Sequence, residues 1–284
     1  MAEFAAGPVG VCLPVTFTST PSADDQRTAV RRLERAGYHA AWTNEVIGKD
    51  ALAQLAVLLG ATETLAFGTC VANIWARAPQ TAHAAAAFLA QAFPARFTLG
   101  LGVGYPQQAS SVDRPFGTPL ATMRSYLDGL AAETQPPAPD APYPVILGAN
   151  GPKMLSLAAA HADGALPAGL PPEHTAFARR VLGPDKLLVV AQSIADSAET
   201  ARQTVSTWLG RAAFRTTLAD LGYGTELDDD LVRALVAFGS PDTVAAAVQA
   251  HLDAGADHVT LLSPIGTEFG VGIEHLVSLA PALR

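Results

Sequence analysis

Short apolar runs alternate with amphipathic or alanine-rich segments along the whole chain. The runs rich in β-branched and aromatic residues predict strands, and the segments between them predict helices because their apolar positions recur at helical spacing. Strands that are joined through helices run parallel in one sheet. The predicted strands cover residues 9–15, 39–43, 65–71, 97–102, 143–147, 164–167, 187–192 and 258–262, and the predicted helices cover 23–36, 50–59, 79–92, 119–132, 152–162, 172–182 and 242–254.

Eight parallel strands with intervening helices match the closed (β/α)8 or TIM barrel, which we predict as a single α/β domain over residues 1–284. The rival is an open, doubly wound sheet with a glycine fingerprint in its first turn. That turn, residues 14–17, contains no glycine here. Residues 195–240 are too long for one helix, so we expect an extended segment of two or three helices between strands seven and eight, with a break at 222–224. The proline-rich stretch 133–144 is expected to be a loop on the face away from the chemistry.

The composition adds limits on partners and location. Hydrophobic residues make up 49% of the chain and charged residues 15%, which predicts a large buried core. No run approaches the roughly 20 apolar residues that a membrane span needs, and the net charge of -8 argues against nucleic acid as a partner. The first residues have no basic region before an apolar one, so we expect a cytoplasmic protein. Cys12 and Cys70 lie in strand-like runs, where buried reduced thiols are expected.

In a barrel the chemistry lies at the C-terminal ends of the strands. After the fifth strand, the sequence ILGANGPKM at 146–154 predicts a glycine turn that starts a helix at Pro152. Free amides at a helix start favour phosphate, but a turn that simply needs the conformational freedom of glycine explains the pattern equally well. The sequence GLGVG at 100–104 does not have the spacing of a dinucleotide fingerprint. It is interpreted as a strand narrowed for close approach of a ligand or backbone.

Other kinds of site have less support in the sequence. The histidines are scattered, so no metal site is predicted. A Schiff-base lysine is disfavoured because Lys186 precedes its strand and Lys49 lies in a loop beyond Glu45. Glu45, just past the second strand, is a candidate catalytic carboxylate or else a salt-bridged residue. Arg77 is a candidate ligand for an anionic substrate or cofactor tail, or else the cation of a structural ion pair.

Three stretches carry a family resemblance when they are taken in order and at their spacing. They are ARFTLGLGVG at 95–104, GANGPKM at 148–154 followed by ADG at 162–164, and AGADHV at 254–259. Together they resemble the luciferase-like monooxygenase superfamily, and within it the deazaflavin (coenzyme F-420) dependent oxidoreductases. The resemblance extends over nearly the whole chain and implies the barrel that the strand count predicts.

The resemblance also implies roles for individual residues. In relatives, the third strand has a bulge with a non-prolyl cis peptide bond behind the flavin ring, and the matching bond here joins Cys70 and Val71. The turn after the fifth strand would hold the cofactor phosphate, and the glycine-rich fourth strand and the end of the second strand would line the ring. The implied cofactor-binding residues are Cys70, Val71, Gly102, Gly104, Gly148, Ala149, Asn150, Gly151 and Pro152, with Asn44 and Glu45 at the ring.

The chain departs from its relatives where the substrate reacts. Several relatives have a histidine beside an acid after the second strand and an Arg-His-Pro sequence after the third, where this chain has Asn44-Glu45 and Arg77-Ala78-Pro79. The position of an acidic proton donor in some members, just after Gly104, is Tyr105 here. The expected catalytic residues are therefore Glu45, Tyr105 and Asn44, and the expected substrate-binding residues are Phe17, Trp75 and Arg77.

The expected function is a two-electron oxidoreductase that transfers hydride between coenzyme F-420 and a small organic substrate. The first alternative is a monooxygenase that uses reduced FMN from a separate flavin reductase, since the same barrel serves both cofactors. The second is a barrel that binds a flavin-like ligand, or none, without catalysis. We also expect a homodimer.

Overall fold

The strand–helix units close into a barrel of parallel strands in the computed structural model, which describes residues 6–16, 18–46 and 48–284. The strands are β1 (Val9–Cys12), β2 (Ala40–Thr43), β3 (Ala66–Thr69), β4 (Ala72–Asn73), β5 (Phe97–Gly102), β6 (Val145–Gly148), β7 (Gly164–Leu166), β8 (Leu187–Ala195), β9 (Val236–Phe238) and β10 (His258–Leu262).

Strand pairing confirms the predicted closed barrel. The order around it is β10-β1-β2-β3-β5-β6-β7-β8, and β8 pairs again with β10. The closing register places Val259 opposite Val190 and, on the other side, opposite Val9. The third barrel strand is divided into β3 and β4, both of which pair with β5. Between them the peptide bond from Cys70 to Val71 is cis, as the resemblance implies.

The helices between the strands follow the sequence prediction closely. The predicted helix 23–36 is observed with the same bounds and ends at Gly37, whose φ of 101° favours glycine. No helix in the described part of the chain is long and apolar enough to cross a membrane. The helices are α1 (Ala23–Ala36), α2 (Ala51–Leu59), α3 (Pro79–Ala92), α4 (Pro106–Ser110), α5 (Pro119–Leu130), α6 (Pro152–His161), α7 (Pro172–Leu182), α8 (Ala198–Leu209), α9 (Ala212–Asp220), α10 (Asp229–Leu235), α11 (Pro241–Asp253) and α12 (Phe269–Leu279), with a final 3-10 turn at Ala280–Leu283.

The segment 195–240, between β8 and α11, contains three helices, α8 to α10, and the chain is irregular around 222–224 as expected. It also contains a strand that the pattern does not predict, β9, which extends the sheet beside the end of β8. The segment has its own apolar cluster, in which Val205, Leu218 and Leu231 are buried. The loop 133–144 leads to the start of β6, where the carbonyl of Pro144 accepts the amide of Leu99, so it lies at the opposite end from the strand C-termini.

The inside of the barrel is filled by large side chains and by the glycines that make room for them. The indole of Trp42 donates from Nε1 to Nε2 of His258 across the barrel at 3.0 Å. A Cβ on Gly68 would lie 2.2 Å from the Trp42 ring, so glycine is required there. The barrel interior around Trp42, Gly68 and His258 is therefore a packed core. A ligand would bind at the C-terminal ends of the strands.

Candidate functional site

The strand C-termini surround a floor of small and aliphatic groups that are only half-buried. Val71 follows the cis bond, Gly148 ends β6, Ala168 follows β7 and Leu262 ends β10. The side chains of Cys70, Val71, Ala168 and Leu262 pack on the same interior cluster. An apolar surface that remains accessible fits a flat, largely apolar ring.

The glycines of β5 are explained by protein packing. An added Cβ on Gly102 would lie 2.3 Å from Cγ2 of Val71, and one on Gly100 would lie 2.0 Å from the carbonyl oxygen of Thr69. Gly148 also faces Val71, at 3.3 Å from Cγ1. The bulge between β3 and β4 thus uses the space that these glycines leave free. The sequence interpretation was close approach of a ligand or backbone: at Gly100 the close neighbour is backbone, and at Gly102 it is the side chain of Val71.

Gly104 has a separate structural reason for being glycine. Its φ is 63°, and an added Cβ would lie 2.0 Å from Oε1 of Gln108. That oxygen accepts the backbone amide of Tyr105 at 2.8 Å, in the turn that starts α4. Gly104 therefore shapes the turn that carries Tyr105.

The turn after β6 is held firmly by its neighbours. The Asn150 side chain accepts the backbone amide of Ala168 at 3.0 Å and donates to its carbonyl oxygen at 3.1 Å. The amide of Ala149 donates to the carbonyl oxygen of Leu166 at 3.3 Å. Nε2 of His174 lies 2.7 Å from the Asn150 carbonyl oxygen and serves as the donor. The Asn150 side chain is therefore hydrogen-bonded to Ala168, just after β7. Any ligand at this turn would contact mainly backbone.

Gly151 is the N-cap of α6 and leaves the start of this helix open. Its φ and ψ are -97° and 153°, Pro152 occupies the first turn, and no side chain caps the helix. An added Cβ on Gly151 would meet nothing within 4 Å. Uncapped amides and the positive end of the helix dipole favour an anion. The floor and this helix start together fit a ring with a phosphate-bearing tail.

Glu45 is a structural clamp between two loops at the mouth. Its side chain is 2% exposed. Oε1 accepts the amide of Ala51 at 3.0 Å and Nη2 of Arg77 at 2.5 Å, while Oε2 accepts the amide of Asn73 at 2.8 Å and Nη1 of Arg77 at 3.1 Å. The two oxygens therefore bind the start of α2, the end of β4 and the guanidinium of Arg77.

Arg77 has carboxylates on two sides. Its guanidinium, 11% exposed, also contacts Asp50 at 3.0 Å. Burial acts to lower the pKa of Arg77, but the hydrogen bond and charge of Glu45, with those of Asp50, outweigh it and raise the pKa. The ion-pair interpretation of Arg77 therefore describes the structure, and its charge is already balanced before any anionic substrate arrives.

A cation that the sequence did not single out lies at the end of β2. The loop after β2 folds back, so Nζ of Lys49 donates to Oγ1 of Thr43 at 2.7 Å and to Oδ1 of Asn44 at 3.0 Å. Burial lowers the pKa of Lys49 to about 8. The predicted residue Asn44 thus holds a lysine at the mouth. Local pattern could not reveal this, because the fold-back brings together residues that a loop separates.

The aromatic residues of the predicted wall are placed unequally. Trp75 is buried, donates from Nε1 to the carbonyl oxygen of Val103 at 2.8 Å and faces Phe116. Tyr105 is 55% exposed, and the guanidinium of Arg211 lies 5.7 Å from its ring centroid. The helical segment after β8 therefore reaches across to the loop after β5. Phe17, the third predicted residue, lies outside the described residues.

A cavity of about 500 Å³ extends between the ends of β8 and β10 and helix α8. Trp208 and Arg211 line it on one side, and Ser193 and Ser263, at the ends of β8 and β10, line it on the other. Both hydroxyls are buried and have no hydrogen-bond partner among the described residues. The cavity gives a small organic molecule room beside the floor. Within 6–16, 18–46 and 48–284, no group of three or more His, Cys, Asp or Glu side chains could hold a metal ion.

Comparison with known proteins places this geometry in a family. The family model described as luciferase-like monooxygenase matches residues 8–258. A Mycobacterium tuberculosis protein named as a coenzyme F-420-dependent oxidoreductase is 32% identical over 170 residues, which are 49% of this chain and 49% of that protein. The match thus spans about half the length of that relative.

Solved structures share the fold over nearly the full chain. An F-420-dependent secondary alcohol dehydrogenase, in complex with an F-420-acetone adduct, superposes with a TM-score of 0.74 at 15% identity, covering 98% of this chain and 99% of that one. The oxygenating constituent of a Pseudomonas putida 3,6-diketocamphane monooxygenase, in complex with FMN, superposes with a TM-score of 0.70 at 16% identity, covering 97% and 96%.

Proposed function

The chain belongs to the luciferase-like monooxygenase family, and from this premise we propose that it is an oxidoreductase that transfers hydride between coenzyme F-420 and a small organic substrate. The observation that carries the proposal is the pairing of an accessible apolar floor, from Val71 to Leu262, with the uncapped start of α6 at Gly151. A deazaflavin needs both, because its ring is flat and its side chain carries phosphate. The mycobacterial relative named for the same coenzyme supports this choice.

The bound cofactor would supply the hydride chemistry, and the chain would supply binding and orientation. Val71 and Leu262 would support the ring, and the amides at the start of α6 would hold the phosphate. The cavity beside β8 and β10 would admit the substrate, whose reacting carbon must come within contact distance of the ring. Glu45 would act as a positioning residue rather than a proton relay, because its oxygens already bind two loops.

The second candidate is a monooxygenase supplied with reduced FMN by a separate reductase. FMN also combines a flat ring with a phosphate, so the same floor and helix start would serve it. The FMN complex of the Pseudomonas putida neighbour supports this candidate. In that case the reaction would need a partner reductase that this chain does not provide.

Titration of the purified chain with coenzyme F-420 and with FMN, followed by ligand fluorescence, separates these functions. Saturable binding of F-420 that is much tighter than that of FMN is expected. Tight binding of FMN alone would replace the first proposal with the second, and no binding of either would leave a barrel without this cofactor chemistry. Wild-type and Lys186→Arg proteins should bind alike, because Lys186 donates to the carbonyl oxygen of Ala162 before β8, away from the mouth.

We also propose that the protein works as a cytoplasmic homodimer. Phe88 on α3 is 61% exposed and Val57 on the neighbouring α2 is 40% exposed, although both are large and apolar. A second copy would remove these side chains from water. The Phe88→Glu variant is expected to elute as a monomer in size-exclusion chromatography with light scattering, whereas wild type elutes as a dimer. A monomeric wild type would refute the proposal.

A further inference from the structure

The amine of Lys49 lies at the barrel mouth, beside the end of β2. It borders a cavity of about 450 Å³ with Glu45, Asn73 and Trp75, and a second one of about 570 Å³ with Gln26. The residue is half-buried and lines both of these cavities. Lys186 precedes β8, and Lys153 is exposed in the first turn of α6, at the proposed phosphate site.

The ammonium group has a proton left for a ligand. It has three N–H donors, and two of them go to Thr43 and Asn44. Thr43 in turn donates from Oγ1 to Oε1 of Gln54 at 2.7 Å, which fixes its lone pairs toward Lys49. No third acceptor for the amine occurs among the residues that the structure describes. The arrangement therefore orients the amine and leaves one donor open.

The charges around Lys49 do not lock it as an ion-pair partner. Asp50 is adjacent to Lys49 in sequence and Glu45 lies earlier in the same loop, but Arg77 pairs with both carboxylates. The Cys12 thiol, from inside β1, is the other titratable neighbour, and Cys12 and Glu45 oppose the effect of burial on the pKa of Lys49. Burial prevails, and the pKa falls to about 8. At neutral pH this amine is protonated but gives up its proton far more readily than an ordinary lysine.

Thr43 connects Lys49 to the apolar floor. Its carbonyl oxygen accepts the backbone amide of Cys70 at 2.7 Å, and its hydroxyl accepts Nζ of Lys49 at 2.7 Å. Cys70 belongs to the floor on which the ring is proposed to lie. Lys49 therefore lies beside the floor, where a substrate held over the ring would meet it.

We propose that Lys49 is the general acid of this site and that the substrate is a carbonyl compound. A bound reduced deazaflavin would supply hydride to the carbonyl carbon; the C=O π electron pair would move to oxygen, which would take a proton from Nζ of Lys49. The products are an alcohol, oxidised cofactor and a neutral amine, which regains a proton from water. In the opposite direction the neutral amine takes the proton of the alcohol. This inference rests on the proposed function, since it requires the hydride donor.

A measurement on the protein without substrate tests the amine directly. The chain has three lysines, so reductive methylation with isotopically labelled formaldehyde yields few signals, each assigned with a Lys→Arg variant. The methylation rate of Lys49 is expected to rise with pH to a midpoint near 8, against about 10.4 for an unperturbed lysine. Adding coenzyme F-420 should move the Lys49 signal and leave the Lys186 signal in place. A midpoint above 10, or no labelling at any pH, would overturn the proposal.

Variants then separate proton transfer from positioning. Lys49→Arg retains a cation and its donors but does not release a proton near neutral pH. With reduced F-420 and acetone or cyclohexanone as probes, this variant is expected to bind the cofactor normally and to lose at least ~100-fold in turnover. Lys49→Ala should regain part of the rate when methylamine is added, with the rate following the pH of the free amine. Wild-type turnover in Lys49→Arg would show a positioning role only and would overturn the assignment.

Failure of this inference differs visibly from failure of the proposed function. If F-420 binds and the Lys49 midpoint is unshifted, only the assignment of Lys49 is lost. If F-420 binds but none of the ketone probes is reduced, the carbonyl substrate class is wrong. If F-420 does not bind, the proposed function is wrong and the hydride step is lost with it.

Discussion

A negative side chain at Gly151 is expected to weaken cofactor binding without weakening the fold. Gly151 has extended backbone angles that any residue adopts, and an added Cβ would meet no atom within 4 Å. Asp and Asn are both good N-caps, so either would satisfy an amide in the first turn of α6. Gly151→Asp and Gly151→Asn should therefore unfold at or slightly above the wild-type temperature.

The size of the effect follows from charge and distance. A carboxylate at Gly151 would lie about 5 Å from a phosphate held by the same amides, and at an effective dielectric constant of about 20 each pair of unit charges repels by ~3 kcal/mol. The turn is partly exposed, because Asn150 and Pro152 are on the surface. Screening therefore reduces the penalty to ~1–3 kcal/mol, which corresponds to roughly 5- to 150-fold weaker binding.

The assay is fluorescence titration with coenzyme F-420 for wild type, Gly151→Ala, Gly151→Asn and Gly151→Asp. The alanine variant controls for the added Cβ, and the asparagine variant controls for shape and for occupation of the amides. The difference between asparagine and aspartate isolates the charge. It should shrink as salt is added, because a partly exposed pair is screened.

Equal affinities for the asparagine and aspartate variants would refute the reasoning. In that case no anion lies at the start of α6, and the turn after β6 has only a structural role. A general loss of affinity in all three variants would instead indicate that the ligand needs the bare backbone of Gly151, independently of charge.

Three further predictions concern stability. Glu45→Gln leaves the buried guanidinium of Arg77 with exposed Asp50 as its remaining carboxylate partner, so the free energy of unfolding in urea should fall by ~3 kcal/mol. Asp50→Asn should lower it by under ~1 kcal/mol. Equal effects of the two variants would contradict the structural role of Glu45. Burial lowers the pKa of His251 to about 4, so its stabilising effect is complete above pH ~6.5 and is lost as the pH falls toward 4. Between pH 7 and 5 the free energy of unfolding of wild type should fall by about 2 kcal/mol because of His251. His251→Gln should not show this part of the decrease. An identical decrease in both proteins would show that His251 does not cause it. Gly68→Ala would place a Cβ 2.2 Å from the Trp42 ring. Calorimetry should therefore show a melting temperature several degrees lower than that of wild type, because overpacking costs ~1–3 kcal/mol. An unchanged melting temperature would mean that the Trp42 ring can move aside.

The sequence alone determined the architecture and predicted where a site would lie. Alternation of strand and helix patterns is local information, and parallel connection through helices follows from it, so the barrel and most helix bounds could be predicted. The rule that chemistry lies at strand C-termini then selected the turn at Gly151 and the loop of Glu45. The short strand β9 was missed because three residues carry too little pattern and depend on pairing with β8.

Only the tertiary structure decided what individual side chains do. Glu45 and Arg77 are 32 positions apart, and no local pattern shows that each neutralises the other. Val71 explains Gly102 and Gly148 through contacts between three strands. Lys49 belongs to a loop by sequence and to the barrel mouth by structure, because the chain folds back onto β2. Such pairings depend on distances between elements that are remote in sequence, and those distances exist only once the barrel has closed.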